Sequence, residues 1–239
     1  MRPRAVTLDA GGTLITVAEP VGITYARFAA AHGIAVAVED VERRFRDAFA
    51  AAPPLAFPDG PATTRTVRER AWWRAVVRDA LGRPDADLAF DACFVALYAH
   101  YAEAHAWRVF PEVPGVLEAL RSRGLRLGVV SNFDSRLPSL LAALGIAPLI
   151  DVILHSSACG YAKPNPGMLH LAAKALGVRT ALLLHVGDAA EDVAAATAAG
   201  ASVLRLERGP RSDGPPQRAG RLASLEELPG HPLLGAAQP

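Results

Sequence analysis

Lysine is scarce in this chain: two of 239 residues, Lys163 and Lys174, out of 25 lysines and arginines together. Cysteine is as rare. Cys93 and Cys159 stand far apart with no CxxC spacing, which argues against a zinc site or a disulfide framework and leaves two small buried thiols. No run of about 18 apolar residues free of charge occurs, so no segment is expected to cross a membrane. The opening Met-Arg-Pro-Arg enters an apolar run broken by Asp9, too short for a secretory signal, and a cytoplasmic location is the expectation. Net charge is also lacking. The 25 Lys+Arg and 24 Asp+Glu are interspersed and leave +1, without the broad basic face that non-specific nucleic-acid binding requires. Internal repeats and heptad arrays are absent too.

What is present is a globular composition, 51% hydrophobic with a mean hydropathy of +0.20. A chain of this length buries roughly 70–75% of its unfolded surface, enough for one domain with a large insertion or two modest domains. Short apolar runs alternate with helical patterns, the signature of a doubly wound parallel sheet covered by helices, an α/β fold. The expected order is a strand at Ala5 to Leu8, then a helix Val116 to Arg123, strand Leu125 to Val130, helix Leu137 to Leu144 and strand Val152 to Leu154. A helix Gly167 to Leu176, strand Leu182 to Val186, helix Glu191 to Ala199 and strand Ser202 to Leu206 follow. Gly124, Gly145, Gly177 and Gly200 each stand where a helix would end in a left-handed cap.

Between these regions the pattern becomes alanine- and arginine-rich and amphipathic, which predicts an all-helical insertion over 16–109 and a core of 1–15 with 110–239. Its expected helices are Ile23 to Ala31, Val38 to Ala50, Thr64 to Leu81 and Asp87 to His105. Pro53-Pro54 to Pro61 and Gly82 to Pro84 break them, and Gly209 to Pro216 reads as a loop.

Four segments could carry chemistry. VTLDAGGTLI places Asp9 at the carboxyl edge of a strand, where ligands of open α/β sheets bind, followed by two glycines whose backbone can approach an anion. A carboxylate there suits a nucleophile or a metal ligand, and equally the start of a tight turn. LGVVSNFDSRL ends a strand with Ser131 and Asn132, either at a phosphate-binding helix start or as ordinary helix caps. SSACGYAKPNP holds Lys163 between a turn and Pro164, stiffened further by Pro166. LLLHVGDAAEDV ends a strand near Asp188, with Glu191 and Asp192 opening a helix whose dipole favours them. Asp9 and Asp188 both lie at strand carboxyl ends, and two carboxylates with carbonyls and waters suit Mg²⁺.

In this order the four segments resemble the haloacid dehalogenase (HAD) superfamily over essentially the whole chain. The resemblance is closest to the subfamily with a helical cap after the first motif. SNFDSRL, GYAKPNPG and HVGDAAEDV, with Trp107 before the second core region, look like a HAD-like hydrolase branch without an assigned substrate. The resemblance implies a Rossmann-like core and Asp9 as nucleophile and Mg²⁺ ligand. Ser131, Asn132 and Gly12 would bind phosphate, and Lys163 would neutralise its charge. Asp188, Asp192 (directly or through water) and the Gly11 carbonyl would hold the metal.

One departure matters. Phosphatases of this superfamily usually carry a general acid–base aspartate two residues after the nucleophile, where this chain has Gly11. Such help is worth about 10²–10⁴ in rate, so esters with poor leaving groups should turn over slowly and acyl phosphates or activated aryl esters less so. Relatives lacking that aspartate include dehalogenases, which lose the acidic fourth motif that this chain keeps as GDAAED. They also include phosphonatases, which use a cap lysine, whereas no lysine occurs from Thr16 to Val109.

The remaining candidates read as structural. His100 and His105 lack metalloprotease spacing, and His185 could orient Asp188. Trp72 and Trp73 with Val76, Val77 and Ala80 form a stripe expected in the cap core. Arg65, Arg68, Arg70 and Arg74 read as a solvated face, with a substrate-anion role as the minority reading. Segments near Tyr25, Arg27 and Ala56 to Arg65 are where the cap would select a substrate. Two functions stay open: a Mg²⁺-dependent phosphohydrolase acting through an aspartyl-phosphate on a small phosphorylated metabolite, and a feeble HAD fold kept as a phosphate- and Mg²⁺-binding or regulatory protein. A homodimer is compatible with exposed apolar surface on the cap.

Overall fold

The computed structural model describes residues 2–59, 61–84, 87–208 and 220–235. The expected loop Gly209 to Pro216 lies outside them. The chain opens with β1 (Ala5–Leu8) and β2 (Ile15–Val17), then α1 (Val21–Ala31), α2 (Val38–Ala51), α3 (Arg65–Leu81) and α4 (Leu88–His100), and returns through β3 (Trp107–Val109). It continues as α5 (Val113–Ser122), β4 (Arg126–Ser131), α6 (Leu137–Ala143), β5 (Val152–His155), α7 (Ser156–Cys159) and α8 (Gly167–Ala175). The last elements are β6 (Leu183–Gly187), α9 (Ala190–Ala199), β7 (Ser202–Leu206) and β8 (Gly220–Leu222).

The chain divides into two compact units: Met1–Thr16, Ala56–Asp59 and Val109–Pro239 form one, Val17–Leu55 and Gly60–Arg108 the other. The first is built on a parallel sheet in the order β5-β4-β1-β6-β7-β8. All four residues of β1 are buried, as a strand covered on both faces requires. Leu8 at its end pairs with Val129 of β4 on one side and Val186 of β6 on the other. The carboxyl ends of three strands are therefore level, and the chain order reverses direction about β1. That is the topological switch point at which open α/β sheets bind ligands. On one flank of the sheet, Met168, Leu169 and Ala172 of α8 and Ala195, Ala196 and Ala199 of α9 pack with Val130 and Leu183. Alanine on α9 lets that helix approach the strands closely.

The second unit has a core of its own, in which Tyr25, Val41, Val77, Phe90, Phe94 and Leu97 are buried. Trp73 packs against it, and Val76, Val77 and Ala80 are buried as the stripe predicted. Trp72 lies beside Phe49 and donates its indole N–H to Pro53 O (2.7 Å). Arg70 stacks over Phe94 and Tyr98, while Arg74 pairs with Asp91 (2.6 Å) and covers Phe90.

Several expectations need correction. The fourth helix of the insertion ends at His100, not His105: beyond it the backbone tightens, Ala102 N donating to Ala99 O (3.0 Å) and Glu103 N to His100 O (3.1 Å), and the Trp107 indole takes the Tyr101 carbonyl (3.2 Å). His105 therefore sits in a separate turn, its Nε2 3.1 Å from His100 Nδ1. The short pair β2 and β3, the single turn α7 and the edge strand β8 had no clear periodicity in sequence. Tyr25 is a core residue stacked edge-on against Phe45 and Tyr101. Cys93 is buried, but Cys159 is only partly so.

Candidate active site

Asp9 follows β1 directly and its backbone N–H still bonds Val186 O of β6 (2.9 Å), which locks the residue to the sheet edge. Gly12 then turns the chain back with φ +75°. Asp188 follows β6 at the same edge, and its Oδ1 accepts from Thr13 Oγ1 (3.0 Å). A Cβ on Gly12 would stand 2.3 Å from Asp188 Oδ2, so the glycine is what admits that carboxylate. Gly187 acts likewise for Asp192: a Cβ there would fall 2.2 Å from Asp192 Cγ.

Lys163 reaches this edge from the segment between α7 and α8. Its ammonium donates to Asp9 Oδ1 (2.6 Å), Asp192 Oδ1 (2.5 Å) and Val130 O (2.9 Å), with only 3% of the side chain exposed. Asn132 holds the lysine backbone on both sides, Lys163 N donating to Asn132 Oδ1 (2.7 Å) and Asn132 Nδ2 to Lys163 O (2.9 Å). Ser131 donates its hydroxyl to Asp9.

Asp192 accepts from Lys163 and from His185 Nε2 (2.9 Å) through one oxygen, and from Ala189 N (3.0 Å) through the other. His185 is buried in β6 with Nδ1 3.0 Å from Thr7 Oγ1. Because a carboxylate only accepts, Nε2 carries a proton, and in the neutral ring Nδ1 takes the threonine's.

The electrostatics follow from this geometry. Burial pushes the Asp9 carboxyl above its ordinary value; Lys163 opposes that rise, and the nearby Asp192 carboxylate adds to it. Burial also raises Asp188, and the Asp9 charge raises it further. Burial alone would discharge Lys163, yet Asp9 and Asp192 outweigh it and hold the ammonium above its usual range. For Asp192 burial is likewise outweighed, by the His185 hydrogen bond and Lys163, which keep it ionised well below the usual carboxylate range.

The structure thus brings Asp9, Ser131, Asn132, Lys163, Asp188 and Asp192 together, with Gly11 and Gly12 in the adjoining turn. Two readings change. Ser131 and Asn132 neither cap a helix nor meet its first turn. The helix after β4 starts at Leu137, and Asp134 holds its entry, accepting from Arg136 N (3.0 Å). His185 touches Asp192, not Asp188, because it lies mid-strand beneath the helix that carries Asp192.

Two arginines escaped the sequence reading. Arg208 donates to Thr13 O (2.9 Å) and Gly12 O (3.2 Å), pairs with Glu112 (2.6 Å) and lies 3.6 Å over the Phe110 ring. Arg205 donates to Asp188 O (3.2 Å). The only available signal was position: both sit at the end of β7, on the same sheet edge that singled out Asp9.

Asp9, Asp188 and Asp192 each offer a carboxylate oxygen, and these atoms lie within 4.8 Å of one another. Hard oxygen donors at that spacing fit a small divalent cation. The family model for haloacid dehalogenase-like hydrolases matches residues 3–200, spanning all four motif segments and the insertion. The chain belongs to the haloacid dehalogenase-like hydrolase family.

Among this HAD-like hydrolase's relatives is the haloacid dehalogenase-like hydrolase domain-containing protein 3 of Mus musculus, 37% identical over 79% of this chain and 75% of that protein. A plasmid-borne phosphoglycolate phosphatase of Cupriavidus necator is 37% identical over 67% of this chain and 70% of its own. Among solved structures, a HAD phosphatase from Thermococcus onnurineus superposes with a TM-score of 0.66 at 23% identity, covering 97% of this chain and 98% of that one. The L-2-haloacid dehalogenase of Xanthobacter autotrophicus gives 0.67 at 20%, covering 95% and 97%. At those identities the superpositions speak for the fold alone. No helix among the described residues is long and apolar enough to cross a membrane.

Proposed function

We propose that this HAD-like hydrolase is a Mg²⁺-dependent phosphatase for a small phosphorylated metabolite, with Asp9 as the nucleophile. One observation carries the reading: the carboxylates of Asp9, Asp188 and Asp192 converge within 4.8 Å of one another at the sheet's switch point, with a buried ammonium bonded to the first (2.6 Å). Likeness to phosphoglycolate phosphatases supports phosphoryl chemistry.

Asp9 and Asp188 would hold the metal with the Gly11 carbonyl, and Asp192, its oxygens already taken by Lys163, His185 and Ala189, through water. Mg²⁺ bound there would supply positive charge to the phosphoryl oxygens. Lys163 and Ser131 hold the Asp9 carboxylate against the sheet edge and aim it at an incoming phosphorus. Lys163 adds positive charge beside the oxygens that become more negative in the transition state. Asn132 fixes the lysine, whereas the Gly12 N–H, expected to bind phosphate, is taken by Ile15 O (2.8 Å). Asp9 attacks phosphorus, the leaving oxygen departs, and water then releases phosphate from the aspartyl-phosphate.

The test is hydrolysis of para-nitrophenyl phosphate, acetyl phosphate and a sugar-phosphate panel. Turnover removed both by EDTA and by Asp9→Asn is the expected result. Equal rates for wild type and Asp9→Asn on every substrate overturn the reading. The side-chain-free position at Gly11 favours a second reading, a phosphate- and Mg²⁺-binding protein. Its mark is a rise in Tm with beryllofluoride and Mg²⁺ in the absence of any hydrolysis.

A further inference from the structure

Gly11 and Gly12 are adjacent, but only one of them is required by the fold. Gly12 combines positive φ with a carboxylate pressed against its α-carbon. Gly11 has neither constraint: its φ lies outside the left-handed region, and a Cβ built on it meets nothing within 4 Å. The backbone and the packing admit a side chain two residues beyond Asp9, and none is there.

The buried side-chain donors nearest Asp9 are meanwhile engaged. The three protons of the Lys163 ammonium go to Asp9, Asp192 and Val130 O. Both Asp192 oxygens accept, and both His185 nitrogens are occupied, by Asp192 and Thr7. Ser131 donates to Asp9 and Thr13 to Asp188. The protons of Lys163, His185, Ser131 and Thr13 are thus each held by a neighbouring acceptor, and none of these four is left for a departing oxygen.

We propose that this site is selective for acyl phosphates, the mixed anhydrides of phosphoric and carboxylic acids. The proposal rests on the phosphatase reading above and narrows its substrate. An alkoxide leaving group needs a proton as it departs; a carboxylate does not. An Asp9 oxygen forms a bond to phosphorus while the bond from phosphorus to the acyl oxygen breaks, and the electron pair leaves on a carboxylate that is stable unprotonated at neutral pH. A water oxygen then displaces Asp9 from phosphorus, its proton ending on the released phosphate or in solvent. The open space beside Gly11 is where the acyl group is accommodated.

The experiment measures kcat/KM for acetyl phosphate, 2-phosphoglycolate and a series of substituted phenyl phosphates on wild type, Gly11→Asp and Gly11→Ala. Wild type should favour acetyl phosphate over 2-phosphoglycolate by at least about 10²–10⁴, the usual worth of a general acid, and should slow steeply as the phenol becomes less acidic. Gly11→Asp should narrow the ratio and flatten the slope, whereas Gly11→Ala, which adds bulk without a proton, should keep the slope steep. The Tm of both variants reports whether they fold. Wild-type turnover of 2-phosphoglycolate at a rate comparable to acetyl phosphate, or a flat leaving-group dependence, overturns the proposal and leaves the phosphatase standing. That result needs no variant. Absence of Asp9-dependent turnover on every substrate overturns both.

Discussion

The Lys163 ammonium lies 2.6 Å from Asp9 Oδ1, and the same nitrogen holds Asp192 at 2.5 Å. One buried cation thus serves two carboxylates, one just after β1 and the other in α9. Removing it strands two like charges in low dielectric. Lys163→Met should lower stability by about 3–5 kcal/mol, the range for breaking a buried pair by deleting one partner. Adding Asp192→Asn to Lys163→Met should recover part of that loss, because one stranded charge disappears with it. Urea denaturation with an unchanged m-value checks both, and strict additivity would show that the two side chains do not interact.

Gly12 and Gly33 share φ +75°, but only Gly12 has a neighbour in the way. Gly33→Ala should therefore cost only the backbone strain, about 1–2 kcal/mol. Gly12→Ala carries the same strain and also pushes the Asp188 carboxylate aside, so it should additionally abolish the Mg²⁺-induced rise in Tm. A Gly12→Ala protein that folds and still responds to Mg²⁺ like wild type would separate this turn from the metal site.

Mg²⁺ added at about one hundred times its Kd should stabilise the native state by about 2.7 kcal/mol, a rise of roughly 5–10 °C in Tm for a chain of this size. Asp188→Asn should remove most of that rise with little effect on the metal-free Tm. An undiminished response in the variant would remove Asp188 from the ligand set.

The second unit carries a separate acid-sensitive device. Asp87 caps α4, accepting from Ala89 N (3.0 Å), Phe90 N (3.2 Å) and Arg83 Nε (2.6 Å). The hydrogen bonds from Arg83 and from the helix N-terminus hold its carboxyl below the ordinary value of 3.8. A depressed native pKa means stability that is complete above the unfolded value and lost as pH falls through the native one. Wild type should therefore lose stability below about pH 4 more steeply than Asp87→Ala, followed by circular dichroism during acid titration. Parallel acid limbs would show that the cap contributes no linkage.

Strand identity in the first unit was legible because parallel strands covered on both faces are short apolar runs, and β1 and β7 fall where their runs fall. Gly124, Gly145, Gly177 and Gly200 all take the positive φ that their place after a helix implied. The residue types at the ends of those runs, Asp9, Ser131 and Asp188, marked the edge at which chemistry would gather. Which groups meet there is a non-local matter. The pairing of β1 with both β4 and β6 brings Asp9 beside residues more than a hundred positions away. No local pattern states that Lys163 bonds Asp192, that His185 points at Asp192 from beneath, or that Arg208 holds the Gly12–Thr13 carbonyls. Periodicity records which face of an element is apolar, and so the sequence by itself determined the elements and the edge. Hydrogen-bond partners depend on distances across the sheet, so only the tertiary structure decided how the carboxylates share one ammonium and why Gly12, unlike Gly11, has no alternative.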